Sequence, residues 1–362
     1  MIYFHQLCWK LFTKIKSKSM MKAAVLVAKG DPSKAFQIKE VPRPMPKGLQ
    51  VLIKVEAFGL NFADVMARNG LYKDAPPMPS ILGYDVVGEV IESADSSYHH
   101  LIGKRVVAMT RFGGYAEYAV TDARACAIIS NSISAGAATS LATQYCTAYR
   151  AAHEAVNLFE GDHVLIHAAA GGVGTALSQM AKNQGCIVYG TSSSEKKFEH
   201  MRSNGVDFPI NYQKQDYREE IEKQGQKLQV AFNSVGGSTF KKDYSLLEKG
   251  GTSVIYGAAE RSGKKGGGFA TLQLAWNFGV MSPIQFLINS KGVIGINMLH
   301  IADHQPMVIK RCLEAVVKMT ESDQLSPHVG GDFGIQDLGK AHAFLEGRQS
   351  IGKVVVRWEA SE

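Results

Sequence analysis

The chain has 362 residues, of which 45% are hydrophobic and 20% are charged. This composition is typical of a globular protein with room for two domains, and it does not fit a disordered chain. The five cysteines form no C-x-x-C pair, so neither a zinc ribbon nor a disulfide framework is supported, and a reducing, cytoplasmic setting is expected.

The formal charge of +7 is concentrated at the N-terminus. Residues 1–21 contain no acidic residue, and without the four lysines Lys10, Lys14, Lys16 and Lys18 the charge falls to +3. No dense basic stripe with interleaved aromatic residues remains, so nucleic-acid binding is not expected. We interpret residues 1–21 as a disordered leader or as sequence ahead of the true start. The alternative is a basic amphipathic helix for membranes or targeting.

Residues 22–152 contain many short apolar runs separated by turn residues. The runs lie at 23–27, 36–41, 51–58, 86–93, 105–109, 115–119 and 127–129. This pattern of short apolar runs and turns predicts a β-barrel domain. Residues 61–69 have the spacing of a short helix, and a long helical stretch from 135 to 159 leads out of the domain.

The strongest motif lies between His163 and Gly174. A buried-strand run there passes into A-x-G-x-x-G, a variant of the dinucleotide fingerprint whose small residues let the backbone approach a pyrophosphate at a helix N-terminus. Its small positions are Ala169, Gly171 and Gly174. A helix over 175–184 and a second strand over 186–191 then complete a βαβ unit, which strengthens an otherwise weak motif.

Strands and helices alternate after this unit, which predicts a doubly wound parallel sheet. Further strands are expected at 208–212, 229–235, 251–256 and 292–296. Residues 328–358 return to short strands and one helix. We therefore expect a Rossmann domain over residues 153–299 and a return to the first domain over residues 300–362.

The end of the second strand bears on which dinucleotide binds. NAD sites usually place an acid there, on the ribose hydroxyls. This chain has Thr191-Ser-Ser-Ser194 followed by Glu195 and Lys196. Hydroxyls and a lysine suit a 2′-phosphate, so NADPH is favoured. Glu195 argues for NAD if it points at the ribose, and the serines also fit a plain helix N-cap.

Together these α/β features resemble the medium-chain dehydrogenase/reductase superfamily over residues 22–358, which implies a GroES-like β-barrel domain plus a Rossmann domain. Several stretches are similar to the zinc-free quinone oxidoreductase (zeta-crystallin-like) branch. They are Gly59–Asp64, Gly83–Val90, Gly113–Tyr118, Cys146–Tyr149, Asn211–Tyr212 and Gly352–Val356. The segment Leu272–Leu299 is similar to the vesicle amine transport protein homologues within that branch.

The zinc ligands of the superfamily's zinc alcohol dehydrogenases are not found at the matching positions of this chain. Zinc alcohol dehydrogenases place metal ligands at the positions of Asn61, Tyr84 and Thr143, and these three are not a usual zinc ligand set. No metal is therefore expected. Without a metal to polarise an alcohol, reduction of a quinone or of an activated double bond is favoured.

The resemblance also implies which residues hold NADPH. They are Asn61 and Thr147 at the nicotinamide, Ala170, Gly171, Gly172 and Val173 at the pyrophosphate, Ser192, Lys196 and Tyr212 near the 2′-phosphate, Ser234 and Tyr256 at strand ends, and Asn297 and Lys353 near the ribose and nicotinamide. Plainer alternatives stay open: Tyr212 as core, Thr147 as a helix residue, and Lys353 as a solvated strand charge.

Two residues are candidates for a catalytic role, Asn61 and Tyr72. Tyr72 follows Asn61 by eleven residues, the spacing at which related enoyl-thioester reductases place a catalytic tyrosine. A proton donor there would help an enoyl substrate, whereas a quinone needs none. The alternative is a loop aromatic that only lines the pocket.

These features predict a zinc-independent, NADPH-dependent reductase of quinones or α,β-unsaturated carbonyls, with 2-enoyl thioesters as an alternative substrate. A second hypothesis is an NADPH-binding protein that associates with membranes or a partner and turns over little. It is motivated by the apolar run 269–289, which Gly279 and Pro283 interrupt. A homodimer is expected because strand 292–296 would be an exposed sheet edge.

Overall fold

The structure is a computed structural model that describes residues 19–261, 272, 276–279 and 281–358. Most of the expected leader and seven residues of the apolar run 269–289 lie outside the described residues. The strands are β1 Met20–Leu26, β2 Phe36–Pro42, β3 Gln50–Leu60, β4 Ser80–Ile81, β5 Asp85–Ser93, β6 Arg105–Met109, β7 Tyr118–Asp122, β8 Cys126–Ile128, β9 His163–Ile166, β10 Ile187–Ser192, β11 Phe208–Asn211, β12 Leu228–Asn233, β13 Leu247–Ile255, β14 Gly292–Gly295, β15 Val329–Gly334 and β16 Lys353–Arg357.

Twelve α-helices have bounds within the described residues. They are α1 Pro32–Ala35, α2 Phe62–Arg68, α3 Ala135–Ser140, α4 Cys146–Tyr149, α5 Gly172–Asn183, α6 Phe198–Ser203, α7 Tyr217–Lys223, α8 Ser238–Leu246, α9 Pro283–Asn289, α10 Met298–His304, α11 Pro306–Glu321 and α12 Leu338–Glu346. Two π-helical segments, Leu141–Tyr145 and Arg150–Ala155, flank α4. No helix in this described part of the chain is both long and apolar enough to span a bilayer.

The first part of the chain forms two sheets around one apolar core. A sheet of order β2-β1-β4 faces a larger one of order β15-β16-β3-β5-β6-β8, in which β7 pairs with β3. Long β3 is the centre of the larger sheet, because its eleven residues are apolar at most positions and eight of them are buried. Side chains of both sheets share one buried cluster that includes Leu26, Phe58 and Val356.

The second part forms a six-stranded parallel sheet of order β11-β10-β9-β12-β13-β14. The chain starts at β9, adds β10 and β11 on one side, and then crosses to β12 on the other side, which is the doubly wound arrangement. Separate apolar clusters cover the two faces of the sheet. The predicted α/β fold class is confirmed.

The C-terminal part returns to the larger sheet of the first domain. β15 pairs with β16 in parallel, and β16 pairs antiparallel with β3, so that Val354 lies opposite Leu60. α11 packs its buried side chains Ile309, Leu313 and Val316 into the apolar cluster that the Rossmann sheet shares with the first domain. The predicted domain boundaries at residues 22, 153 and 300 remain predictions.

Some elements differ from the sequence prediction. The strand expected at 115–119 begins only at Tyr118, although Ala116 makes an isolated bridge to Ala23. The helical stretch expected over 135–159 ends at Ala155 and contains the two π-helical segments. The two-residue strand β4 was not predicted, because its apolar run is too short to show a period.

Candidate functional site

The candidate site lies at the carboxyl edge of the Rossmann sheet, at the point where the strand order reverses. β9 and β12 are neighbours in the sheet, but the chain leaves β9 toward β10 on one side and returns to β12 on the other. Ligands of doubly wound folds bind in the crevice that this switch creates. The fingerprint follows β9 directly, and α5 begins inside it, at Gly172.

The fingerprint loop lets the helix start very close to the strand. Ala168 has φ 52°, in the left-handed region, and its carbonyl accepts the N–H of Gly171 at 2.8 Å. A Cβ on Gly174 would lie 2.3 Å from the Ala168 carbonyl oxygen, so only glycine fits at that position. Gly171 caps α5 without any side-chain hydrogen bond, which leaves the first-turn N–H groups free of a side-chain partner among the described residues.

The start of β16 docks onto this loop. Gly352 donates its N–H to the Ala170 carbonyl at 2.9 Å and bridges to Gly171 in parallel. Gly352 has φ 63°, and a Cβ there would lie 2.2 Å from the His328 carbonyl oxygen. The next residue, Lys353, is thereby held at the boundary between the Rossmann sheet and the larger sheet of the first domain.

A buried polar cluster surrounds the ammonium group of Lys353. Lys353 and Asp85 are both fully buried and form an ion pair, and Lys353 Nζ also donates to Asn61 Oδ1 at 3.1 Å. Asn61 Nδ2 donates to Asp85 Oδ2 at 2.5 Å, and the Thr143 hydroxyl donates to Asp85 Oδ1. Thr147 lies one turn further along and donates its hydroxyl to the Thr143 carbonyl at 2.6 Å.

The cluster therefore unites three predicted cofactor residues, Asn61, Thr147 and Lys353, with Asp85. The predicted alternative of a solvated strand charge does not apply to Lys353, since its side chain is fully buried. Gly59 makes room for that side chain, because a Cβ there would lie 2.1 Å from Lys353 Cε. Sequence reasoning did not single out Asp85 as a site residue, although it lies inside the quoted stretch Gly83–Val90.

Asp64 is a second buried carboxyl group beside this cluster. Its Oδ2 accepts the N–H of Asn61 at 2.8 Å and its Oδ1 accepts the N–H of Gly83 at 3.2 Å. Burial raises the pKa of Asp64 to about 7, and the two backbone N–H groups only partly oppose this. Asp64 thus fixes the backbone of Asn61, and its own charge changes near neutral pH.

Aromatic side chains form a wall next to the cluster. The Tyr72 and Tyr84 rings lie 6.4 Å apart in an edge-to-face arrangement, and Tyr84 lies 5.0 Å from Phe112. Burial raises the pKa of Tyr72, so its hydroxyl keeps its proton at neutral pH. Tyr84, the residue that contacts both Tyr72 and Phe112, directly precedes Asp85 in the chain.

The residues predicted for the 2′-phosphate lie at the ends of β10 and β11. Tyr212 donates its N–H to the Ser192 carbonyl at 3.1 Å, and Lys196 is exposed in the turn that follows β10. Arg348, from the loop before β16, donates from Nη1 to the Tyr212 hydroxyl at 3.0 Å. Sequence reasoning missed Arg348, because only the return of the chain brings this loop to the Rossmann sheet.

The other predicted cofactor residues are spread along the same edge. Ser234 and Tyr256 follow β12 and β13, and the Tyr256 N–H donates to the Asn233 carbonyl at 3.0 Å. Asn297 caps α10, where its Oδ1 accepts the N–H groups of Leu299 and His300 at 3.1 and 3.3 Å. The carbonyl end of its amide is therefore occupied, whereas its Nδ2 has no hydrogen-bond partner among the described residues.

A buried hydrogen-bond network beneath the edge fixes the loop after β12. Asn233 Oδ1 accepts the N–H groups of Val235 and Gly236 at 2.8 and 2.7 Å. Asn233 Nδ2 donates to the fully buried Asp243, which also accepts the Tyr217 hydroxyl at 2.7 Å and contacts His167 Nε2 at 3.0 Å. Because these groups satisfy one another, the loop that carries Ser234 is held rigidly.

Within the described residues, no group of three or more histidine, cysteine, aspartate or glutamate side chains is arranged to hold a metal ion. Asn61 and Thr143, two of the positions at which zinc alcohol dehydrogenases place ligands, both bond to Asp85. The Lys353 ammonium lies at this same place.

Two family models match the chain. The alcohol dehydrogenase GroES-like domain matches residues 47–131, and the zinc-binding dehydrogenase model matches residues 172–310. The human synaptic vesicle membrane protein VAT-1 homolog is 30% identical over 341 residues, which is 93% of this chain and 86% of that protein. Human quinone oxidoreductase is 26% identical over 343 residues, 94% of this chain and 98% of that protein.

Solved structures show the same fold. The human VAT-1 homolog-like protein superposes with a TM-score of 0.81 at 25% identity, covering 95% of this chain and 99% of that chain. Quinone oxidoreductase from Escherichia coli, in complex with NADPH, superposes with a TM-score of 0.79 at 25% identity, covering 93% and 99%. The first domain is therefore GroES-like, and the chain belongs to the medium-chain dehydrogenase/reductase superfamily of oxidoreductases, in the branch of the VAT-1 homologues and the quinone oxidoreductases.

Proposed function

We propose that the chain is a zinc-independent, NADPH-dependent reductase of quinones or α,β-unsaturated carbonyls. The observation that carries this proposal is the open N-terminus of α5 at the switch point of the sheet, between the buried Lys353–Asp85 cluster and the Tyr212–Arg348 pair. A dinucleotide laid along this edge would place its two ends at those two groups of residues.

The fingerprint fits a pyrophosphate. Gly172 and Val173 present N–H groups that have no side-chain partner in the described part of the chain, at the positive end of the α5 dipole, which favours an anion. Gly171 has no Cβ to keep a ligand away from the backbone. Bound there, NADPH supplies a hydride, and the protein supplies orientation and a place for the developing charge.

The adenosine end favours NADPH over NADH. Arg348 and Tyr212 form a hydrogen-bonded pair beside Ser192, and Lys196 is exposed in the turn after β10. Two cations and two hydroxyl groups are therefore available to bind the expected 2′-phosphate. Glu195 would favour NAD if it pointed at the ribose. It forms an ion pair with Lys214 at 2.9 Å. Its carboxylate therefore already has a lysine partner.

The buried cluster supports a reaction that needs no zinc. A Zn²⁺ ion beside Asn61 and Thr143 would lie next to the Lys353 ammonium, and like charges in a buried site repel strongly. Neither an amide nor a hydroxyl side chain is a common zinc ligand.

Asn61 is the group best placed to act on a substrate carbonyl. One Nδ2 hydrogen is bonded to Asp85, while the second has no partner among the described residues and is available as a donor. Lys353 and Asp85 hold the amide from both ends, so the donor is oriented in advance. Tyr72 is the candidate proton donor if the substrate is a 2-enoyl thioester.

Titration with NADPH and with NADH tests the cofactor assignment directly. We expect NADPH to bind at least about ten-fold more tightly, because each charge-assisted hydrogen bond to the 2′-phosphate is worth about 1.5–3 kcal/mol. Arg348→Ala should remove much of that preference and leave NADH binding unchanged. Equal affinity for both nucleotides in the wild type would contradict the assignment, and stoichiometric zinc in protein purified without added metal would contradict zinc independence.

We also propose that the chain forms a homodimer through β14. Among the described residues β14 pairs with β13 alone, so its other edge is open. The neighbouring helix α9 exposes large apolar side chains: Ile284, Leu287 and Ile288 are 55%, 74% and 71% exposed. Exposed apolar edges of this kind are normally covered. The same patch motivates the second hypothesis, association with a membrane or a partner with little turnover.

A further inference from the structure

Gln144 is a polar side chain that the proposed site does not yet use. It lies in the π-helical segment Leu141–Tyr145, directly after Thr143 and one turn before Thr147. Its side chain is 8% exposed, and its Oε1 is buried without a hydrogen-bond partner among the described residues. Buried polar atoms without a hydrogen-bond partner are rare in folded proteins, so this one calls for an explanation.

The amide of Gln144 lies directly against the first residue of α5. A Cβ built on Gly172 would be 1.8 Å from Oε1 and 2.6 Å from Nε2 of Gln144. No other residue than glycine could therefore stand at position 172 without moving this amide. The amide that carries the unpaired Oε1 is therefore adjacent to the uncapped N-terminus of the twelve-residue helix α5.

The N-terminus of α5 and the amide of Gln144 can both donate hydrogen bonds to an anion. The helix N-terminus attracts an anion through its free N–H groups. A glutamine amide carries a donor and an acceptor, and rotation about its last bond exchanges them. An anion at the N-terminus would turn Nε2 toward itself, and the amide would then bond to the ligand.

We propose that Gln144 is a positioning residue for the dinucleotide, whose Nε2–H donates to a pyrophosphate oxygen opposite the N–H groups of α5. The proposal rests on the proposed function. In this arrangement the pyrophosphate is held between the π-helical segment and α5. Because Thr143 and Thr147 belong to the same stretch of helix, this contact also sets the distance from the pyrophosphate to the buried cluster.

The test compares NADPH dissociation constants for the wild type, Gln144→Ala, Gln144→Glu and the matched control Gln184→Ala. Gln184 is an exposed glutamine at the other end of the same helix. We expect about ten-fold weaker binding for Gln144→Ala, as for loss of one hydrogen bond to a charged group. Gln144→Glu should bind still more weakly, because its carboxylate repels the pyrophosphate, and Gln184→Ala should match the wild type.

A second readout separates a direct contact from a structural disturbance. Binding of 2′-AMP, which has no pyrophosphate, and the unfolding temperature without nucleotide should be the same for wild type and Gln144→Ala. Unchanged NADPH affinity in Gln144→Ala overturns the proposal and leaves the proposed function intact, and so does an equal loss of 2′-AMP binding or of stability. Failure of the wild type to bind either NADPH or NADH overturns both.

Discussion

The ionisable groups Asp64, Asp85 and Lys353 are all fully buried and lie together. Burial of one Lys–Asp pair is costly, and the pair is tolerated only when further hydrogen bonds satisfy both partners. Here Asn61 and Thr143 provide those bonds. The buried Lys353–Asp85 pair therefore lies where the substrate carbonyl is expected. Buried polar groups that are fixed in advance are typical of a preorganised site.

Replacement of Tyr72 by phenylalanine distinguishes the two substrate classes. The change keeps the ring next to Tyr84 and removes only the hydroxyl. If Tyr72 protonates an enoyl substrate, turnover of a 2-enoyl thioester should fall by at least about ten-fold, since general acid catalysis is worth ~10²–10⁴-fold. Quinone reduction should barely change, because its product takes protons from water. Similar small effects on both substrates, measured by steady-state kinetics, would show that Tyr72 only lines the pocket.

Asp64 predicts a specific dependence of stability on pH. Its pKa is about 7 in the folded protein and 3.8 in the unfolded chain. The folded state therefore holds one proton more than the unfolded state between these values. Its contribution to stability is fully present below about pH 4 and is lost as the pH rises through about 7, with a slope of at most about 1.4 kcal/mol per pH unit.

Asp64→Asn removes this titration and keeps one oxygen acceptor for Asn61 or Gly83. Urea unfolding of both proteins at pH 5 and pH 7.5 measures the difference. We expect the wild type to lose more stability than the variant between the two values. If both proteins show the same change with pH, Asp64 does not carry the proton.

At the scale of elements, the docking of β16 onto the fingerprint loop connects the two domains. Gly352→Ala should disturb it, because the new Cβ would meet the His328 carbonyl at 2.2 Å in a left-handed backbone conformation. Gly103→Ala is a matched control, since Gly103 also has positive φ but nothing lies within 4 Å of its Cβ position. We expect Gly352→Ala to be the less stable variant by at least about 1 kcal/mol beyond the shared backbone strain.

The same variant should bind NADPH more weakly, because displacement of Gly352 breaks its bond to Ala170 and shifts Lys353. Chemical unfolding and nucleotide titration of the two alanine variants check both statements. Equal stability and equal affinity of the two would mean that this contact does not support the site.

The elements that the sequence predicted well are those whose signal is local. The βαβ unit from β9 to β10 follows from apolar runs and small residues that are close in the chain. Asp85 and Arg348 escaped prediction because their partners Lys353 and Tyr212 are remote in sequence. The role that we propose for Gln144 was not predicted, because a π-helical turn has no sequence period that distinguishes it from an α-helical one.

For the whole molecule, the prediction is a dimer joined at β14 and α9. Light scattering at micromolar concentration should give twice the chain mass for the wild type. Leu287→Glu places a charge in the exposed apolar surface of α9 and should yield a monomer, whereas Met45→Glu, at a residue that is 69% exposed in the first domain, should not. A wild-type monomer that floats with liposomes, and a Leu287→Glu variant that does not, would favour the membrane hypothesis instead.

The bridge between Gly171 and Gly352 also bears on how the protein is made. During translation the fingerprint leaves the ribosome long before Arg348 and Lys353 do, yet both ends of the proposed nucleotide site depend on those two residues. A nascent chain that has completed its Rossmann strands would hold the nucleotide by the pyrophosphate alone. Tight binding would then begin only when β16 is in place. The nucleotide would therefore stabilise completed chains more than incomplete ones.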